Sequence, residues 1–301
     1  MIETAAQHFS MPSRPAYSPV VTLTEQLKMP ANSNRFNRFF ALLLFQFATF
    51  SSVWAQLPEL SSRQLSWLGD QIFTNECNRD QDCLTGWNEG EQFPSLGIGH
   101  FIWIPAGQQA PFEETFPALI DFMLTEGLDV PDWIAAARHS GAPWQSRSEF
   151  YAQFAMPKMG QLRRFLYATR NEQAVFIARR LWQTLPELTA GLPAAEVSVI
   201  EQRFESVARA APPYGLYALI DYLHFKGSGL RVSERYQGQG WGLLQVLQNM
   251  EPAATDLDSF INSAARMLER RVRNAPEARN EQRWLAGWTA RLQTYRPAAE
   301  N

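Results

Sequence analysis

The chain has 301 residues, of which 46% are hydrophobic and 13% aromatic, and this is ample material for one large or two modest packed domains. A formal net charge of −3 gives no sign of a nucleic-acid partner. The four histidines include no pair at metal-ligand spacing, so we expect neither a zinc hydrolase nor a bound cofactor.

The first 55 residues have the pattern of a secretory signal peptide. Arg35 and Arg38 precede an apolar run from Phe39 to Phe50, and small residues follow that run as far as Ala55. Because the apolar run is too short to span a bilayer comfortably, a membrane anchor is the weaker interpretation. We therefore expect the mature protein to be periplasmic or secreted, without a stable membrane span.

Residues 1–28 form an unusually long extension ahead of such a signal, whereas a start at Met29 would give the signal a short basic head. We expect one domain over residues 56–301 after cleavage. The removed segment holds four basic and two acidic residues, so the net charge falls from −3 to −5. A mildly acidic protein is not drawn to an anionic wall polymer by its overall field, so binding to such a polymer requires a local cleft.

An amphipathic helix is predicted to end at Glu76. Its apolar residues recur at helical spacing, at Leu65, Leu68, Ile72 and Phe73. A glycine-punctuated segment follows, and from Ser95 to Trp103 a rough alternation of apolar residues indicates short strands and a turn. The sequence therefore predicts a helix followed by a β-hairpin, with Glu76 at the boundary between them.

Glu76, a later acid and the hydroxyl residue Ser95 precede the tetrapeptide Gly-Ile-Gly-His at residues 97–100. This order resembles the active-site segment of the phage lysozymes, in the lysozyme-like superfamily. The resemblance implies that Glu76 is the catalytic acid, that Glu89 is the second carboxylate and that Ser95 is the counterpart of the family's threonine. Glu91 is the alternative to Glu89, and the segment before Ser95 is longer here than in those enzymes.

Glycoside hydrolysis requires one carboxyl group that protonates the leaving oxygen and a second that attacks or activates water. At a helix end beside a hairpin, partly out of water, the pKa of Glu76 is expected to be raised by desolvation, so that the group stays protonated near neutral pH. The second carboxylate and Ser95 would hold a water on the far face of the sugar. The alternative is that Glu76 merely ends a helix and that the later acids are solvated turn residues.

Cys77 and Cys83 lie six residues apart in a chain that we expect to be exported, and this favours a disulfide that closes the loop between them. The same region also has a weak calcium-like pattern, at Asn78, Asp80, Asp82 and Glu89. Cys83 stands where that pattern requires glycine, so we expect turns here rather than a metal site.

Beyond the hairpin, the sequence predicts mainly helices, with turns at the prolines that interrupt them. Helices in excess around one small hairpin define an α+β fold class that is predominantly helical. The resemblance implies, more specifically, a two-lobed lysozyme-like fold with the small β-hairpin beside the catalytic helix.

A second glycine-rich segment resembles the Gly-Leu-Met-Gln motif of lytic transglycosylases and goose-type lysozymes. It offers aromatic faces for sugar stacking and amides for hydrogen bonds, at Tyr236, Gln237, Gln239, Trp241 and Gln245. The alternative is a glycine-rich helix start that packs into the core. Glu234 is a minor alternative for the catalytic acid, because its spacing to Gly242 is shorter than in the transglycosylase pattern.

Three residues of the first hairpin segment are further candidates for substrate contact. They are Trp87, His100 and Trp103. For His100 a structural hydrogen-bonding role is favoured over a chemical one, because a histidine in a hairpin more often fixes the turn.

These observations predict an exported, muramidase-like glycoside hydrolase that cleaves β-1,4 linkages of peptidoglycan, by direct hydrolysis rather than transglycosylation. A catalytically silent wall-binding protein on the same fold and a chitosanase-like or chitinase-like hydrolase are the alternatives. The set of Glu76, Glu89 and Ser95 favours an enzyme, because a pure binder has no chemical need to hold these groups together.

Overall fold

A computed structural model describes residues 57–109 and 113–298, and this part of the chain is predominantly helical with a small antiparallel sheet. The predicted fold class, α+β with helices in large excess, is confirmed at this level. The predicted signal segment lies outside the described residues. None of the described helices is long and apolar enough to cross a membrane.

Twelve helices are present among the described residues. They are α1 (Ser62–Cys77), α2 (Phe116–Thr125), α3 (Asp132–Ala137), α4 (Arg147–Ala152), α5 (Pro157–Ala168), α6 (Arg170–Gln183), α7 (Leu185–Thr189), α8 (Ala194–Arg209), α9 (Tyr214–Lys226), α10 (Leu243–Gln248), α11 (Asp256–Asn274) and α12 (Gln282–Gln293). Short 3₁₀ turns cover Gln81–Leu84, Val232–Glu234 and Glu277–Arg279.

Helix α1 begins and ends where its sequence directs. Ser61 and Gln64 form a capping box at the start, and Asn78 ends the helix in the left-handed conformation. The apolar face predicted from the periodicity is buried at Leu68, Ile72 and Phe73. Gly69 lets α1 approach α6 closely, because a Cβ there would lie 2.8 Å from Asn171 Oδ1.

The first sheet has the order β1-β2-β3, with β1 at Thr85–Gly86, β2 at Ser95–Leu96 and β3 at Phe101–Ile102, all antiparallel. Ser95 pairs with Ile102 and Leu96 with Phe101, so residues 97–100 form the turn of the predicted hairpin. The predicted helix followed by a hairpin is therefore present, with strands of two residues each.

The buried Gln173 of α6 fixes the turn of this hairpin through a hydrogen bond to its backbone. Its Oε1 accepts a hydrogen bond from the Ile98 N–H at 2.9 Å, and its Nε2 donates to the Leu166 carbonyl at 2.6 Å. Gly97 has a φ of +71°, and a Cβ there would lie 2.3 Å from Gln173 Oε1. Glycine is therefore required at position 97, and the buried amide sets the position of the residues that follow it.

The loop after α1 is closed by the predicted disulfide, with Cα atoms of Cys77 and Cys83 5.4 Å apart. Two acids of the calcium-like pattern have partners in the protein: Asp80 Oδ1 accepts from the Asp82 N–H, and Asp82 pairs with Arg163 of α5. Within the described ranges, no group of three or more His, Cys, Asp or Glu side chains could hold a metal ion.

The second glycine-rich segment forms a small hairpin of its own, which the sequence did not predict. Strand β4 (Arg235–Tyr236) pairs with β5 (Gln239–Gly240) around a two-residue turn at Gln237 and Gly238, both with positive φ. Helix α10 starts directly after it. The preceding helix, α9, is buried along most of its length.

Candidate active site

Glu76 lies at the next-to-last position of α1, and three distant segments meet at its carboxylate. Oε2 lies 3.5 Å from His100 Nε2, at the end of the hairpin turn. Oε1 accepts a hydrogen bond from Arg291 Nη2 of α12 at 3.1 Å. The Glu76 side chain is 18% exposed and that of His100 35%, so the pair lies at the edge of the core within reach of solvent.

The pKa of Glu76 differs from the sequence-based expectation. Burial alone would raise it, as predicted, but the contact with His100 and the attraction of His224, His100 and Arg291 outweigh burial and lower the pKa from 4.5 to about 2. The prediction of a raised pKa is therefore wrong for this arrangement. Glu76 is a carboxylate at neutral pH here, and it accepts hydrogen bonds rather than donating a proton.

Among these neighbours, Arg291 supplies the charge that is present at every pH. Burial lowers the pKa of His224, so its imidazole loses its charge more readily than an exposed histidine would. Arg291 stays protonated, because attraction to Asp221 raises its pKa despite the opposing effect of burial. The low pKa of Glu76 depends most on the contact with His100, and Arg291 adds a smaller attraction that does not vary with pH.

Asp221 of α9 is a second carboxylate in this cluster, and sequence analysis missed it. It is 3% exposed and accepts hydrogen bonds from Arg291 Nε and Nη2 at 2.9 and 2.7 Å, from the Tyr295 hydroxyl at 2.6 Å and from Asn75 Nδ2 at 2.8 Å. Arg291 thus bridges Glu76 and Asp221. A single acid inside the apolar run of α9 was the signal that could have identified Asp221.

The predicted partners of Glu76 on the hairpin segment have different positions. Glu89 is exposed in the loop between β1 and β2, and Glu91 is partly buried with its Oε1 accepting from Asn88 Nδ2 at 3.0 Å. Ser95 is buried in β2, and its Oγ has no hydrogen-bond partner among the described residues. Ser95 therefore has unused hydrogen-bonding capacity, as do the buried indole N–H groups of Trp103 and Trp241. The choice between Glu89 and Glu91 stays a prediction.

Three tryptophans that were predicted to contact substrate are buried in the core. Trp103 is fully buried and packs on Phe116 with ring centroids 4.7 Å apart, while Trp87 is 3% exposed and its Nε1 donates to the Glu91 carbonyl. Trp241 is 2% exposed beneath Tyr236. This corrects the prediction of saccharide stacking, because a buried indole offers no open face to a sugar.

The remaining polar candidates of the second hairpin divide into two groups. Gln245 Oε1 accepts from the Gly242 N–H at 3.0 Å, which caps α10, and the Tyr236 hydroxyl donates to Glu281 at 2.8 Å. These two groups are therefore engaged within the protein. Gln237 and Gln239 are exposed, and each has a hydrogen bond to Asn274: Gln237 Nε2 donates to its carbonyl at 3.4 Å, and Gln239 Oε1 accepts from its Nδ2 at 3.2 Å. Their predicted contact with substrate stays a prediction.

Glu234, the minor alternative for the catalytic acid, holds a loop together. It is 4% exposed, and its Oε2 accepts from the Gly229 N–H at 2.6 Å, from the Arg231 N–H at 3.3 Å and from Ser228 Oγ at 3.3 Å. A Cβ on Gly227 would lie 2.1 Å from Oε1 of Glu234. Because the carboxylate is enclosed and accepts from the backbone, the structure favours a structural role for Glu234.

We compared the chain with models of protein families, with curated proteins and with solved structures, and none of them matches it. The function is therefore inferred from Glu76, from the His100 and Arg291 side chains that contact it, and from the segments that bring these residues together.

The lowered pKa of Glu76 predicts a specific pH dependence of stability. The pKa of Glu76 is about 2 in the folded state, compared with an ordinary value of 4.5. Such a carboxylate stabilises the fold above pH 4.5 and loses that contribution as the pH falls toward 2. The stability advantage of the wild type over Glu76→Gln should therefore shrink as the pH falls from about 5 to about 2. Urea unfolding of both proteins across this range measures it, and a difference that stays constant with pH would contradict the lowered pKa.

Proposed function

We propose that the protein is an exported, lysozyme-like glycoside hydrolase that cleaves β-1,4 linkages of peptidoglycan, with Glu76 as the central catalytic group. The observation that carries the proposal is the position of Glu76. It lies at the end of α1, beside the Gly-Ile-Gly-His turn, partly buried but within reach of solvent. The proposal includes a two-lobed, lysozyme-like arrangement with this carboxylate in the cleft.

The contacts of Glu76 determine its charge before substrate binds, and in this proposal they change when substrate binds. With a pKa of about 2 it is negatively charged, so it can stabilise positive charge that develops on the sugar ring. To act as the proton donor it must first lose part of its attraction to Arg291. Arg291 keeps Asp221 as a partner when that happens, so release of Glu76 does not leave a buried cation unpaired. We infer that bound substrate displaces Arg291 from Glu76 and thereby raises the pKa of the acid.

The catalytically silent wall-binding protein remains the second candidate, and one observation favours it. A carboxylate whose pKa is held at about 2 is a poor general acid near neutral pH, because the protonated form is scarce. If nothing displaces Arg291, Glu76 binds rather than reacts.

Incubation of the mature protein with dye-labelled, purified peptidoglycan distinguishes the two candidates. A hydrolase releases soluble dye with new reducing ends, whereas a transglycosylase releases fragments that lack them. A silent binder sediments with the insoluble polymer and releases nothing. Parallel incubations with chitin and chitosan test the chitinase-like and chitosanase-like alternatives, and cleavage of these polymers without cleavage of peptidoglycan would overturn the proposed substrate.

A further inference from the structure

Lys226, the last residue of α9, is a buried lysine with no ion-pair partner among the described residues. It is 3% exposed, and its Nζ lies 3.5 Å from the ring centroid of Trp288 and 3.8 Å from that of Phe225. No hydrogen bond or ion pair to Nζ is found in the part of the chain that the structure describes. Burial, with repulsion from Arg271, lowers the pKa of this amine well below its usual range.

The acids near Lys226 are already engaged by other cations. Glu281 is fully buried and accepts from Arg271 Nε at 2.7 Å and Nη2 at 2.9 Å, from Arg279 and from Tyr236. Asp221 and Glu76 share Arg291. A cation at the end of a helix is favoured by the helix dipole, but that interaction does not require burial between two rings. Lys226 is thus the member of this cluster whose donors are unused.

Lys226 also lies next to the candidate active site. Arg291, which contacts Glu76, has its Cζ 4.5 Å from the centroid of the same Phe225 ring that Lys226 contacts. Phe225 and Trp288, the two rings that Nζ contacts, are only partly buried, so both residues are partly open to solvent. A ligand bound at Glu76 can extend over these two rings toward Lys226.

We propose that Lys226 binds a carboxylate of the substrate, on a muramic-acid residue next to the bond at Glu76. This inference rests on the proposed function. A bound carboxylate adds negative charge beside the amine, which raises the lowered pKa of Lys226 again. The carboxylate then accepts charge-assisted hydrogen bonds from the protonated Nζ. The carboxylate belongs either to the lactyl group of the sugar or to the peptide that the lactyl group carries.

This subsite would select among the polymers considered above. Chitin carries no charge for Lys226 to bind, and the ammonium groups of chitosan cannot form an ion pair with an amine. Peptidoglycan is the polymer with carboxylates along its length. The same side chain therefore favours peptidoglycan and disfavours both alternatives.

The test compares Lys226→Met with Lys158→Met. Methionine keeps an unbranched chain among the rings and removes the amine. Lys158 is the matched control, because its Nζ also lies over an indole, 4.4 Å from the Trp133 centroid, but at an exposed position. Calorimetric titration uses three tetrasaccharides: alternating N-acetylglucosamine and muramic acid without peptide, the same with peptide, and N-acetylglucosamine alone.

Lys226→Met should weaken binding of a carboxylate-bearing tetrasaccharide by about tenfold and leave the neutral tetramer unchanged. If Lys226→Met binds the peptide-free ligand more weakly than the wild type does, the lactyl carboxylate is the group that Lys226 binds. If only binding of the peptide-bearing ligand is weakened, that group is a carboxylate of the peptide. Lys158→Met should change none of the three. Thermal melting checks that Lys226→Met is folded. If it is not, methyl esterification of the ligand's carboxylates should weaken binding to the wild type by the same factor.

Equal weakening of charged and neutral ligands, no weakening of either, or no binding by the wild type would overturn the inference. Failure of the proposed function is a separate outcome, read from hydrolysis by the wild type. A wild type that cleaves peptidoglycan while Lys226→Met keeps its preference for charged ligands disproves the inference alone. A wild type that prefers charged ligands through Lys226 but cleaves nothing disproves the hydrolase alone.

Discussion

Glu76→Gln should reduce the rate of peptidoglycan hydrolysis by at least about a hundredfold, the usual scale for the loss of a catalytic acid or base. The amide keeps the shape of the side chain, but it neither donates the proton nor carries the negative charge that Arg291 and His100 contact in the wild type. Initial rates of dye release from labelled peptidoglycan measure the effect.

The fold of Glu76→Gln should persist at neutral pH, because Arg291 keeps its two hydrogen bonds to Asp221. Circular dichroism and thermal melting distinguish loss of chemistry from loss of structure.

Ser95→Ala should cost less activity than Glu76→Gln, since a hydroxyl only positions water. Of Glu89→Gln and Glu91→Gln, only the variant at the true second carboxylate should lose activity.

Near-normal turnover in Glu76→Gln, together with loss of activity in Glu234→Gln, would contradict the assignment and move the site to the second hairpin. The structure makes Glu234→Gln a useful comparison. Its carboxylate accepts three hydrogen bonds from one loop, so we expect this variant to lose stability rather than chemistry.

Local patterns in the sequence were sufficient for the local structure at the site. The spacing of Leu68, Ile72 and Phe73 predicted α1, and glycines with short apolar alternation predicted the hairpin, because both patterns are encoded within a few residues. The disulfide between Cys77 and Cys83 was predictable for the same reason. Glycine at position 97 was expected in a turn, but its buried partner, Gln173, was not.

Contacts between distant segments could not be predicted in this way. Arg291 lies 215 residues from Glu76 along the chain, and nothing in its own neighbourhood indicates an acid partner. The pKa of Glu76 was expected to rise because burial is a local inference. The groups that reverse the shift lie elsewhere in the chain: His100 in the hairpin turn, His224 in α9 and Arg291 in α12. Trp87 and Trp241 were misassigned for a related reason: an aromatic residue beside a glycine fits a core as well as a cleft.

Asp221→Asn should lower the free energy of unfolding by about 3 kcal/mol or more, the usual cost of breaking a buried ion pair. Asp221 is 3% exposed and accepts from Asn75 of α1 and from Arg291 and Tyr295 at the C-terminal end of the chain. The asparagine amide offers one acceptor oxygen and places an NH₂ donor against these donors. The loss should therefore exceed that of a simple hydrogen-bond deletion.

Asp70→Asn is the matched control, because it also removes a negative charge that pairs with an arginine, but at the surface. Asp70 pairs with Arg170 but is 51% exposed, so the expected loss is no more than about 1 kcal/mol. Urea unfolding followed by tryptophan fluorescence measures both variants. Equal losses in the two would mean that the Asp221 cluster does not hold α9 to α12. In that case the position of Arg291, and with it the low pKa of Glu76, would need another cause.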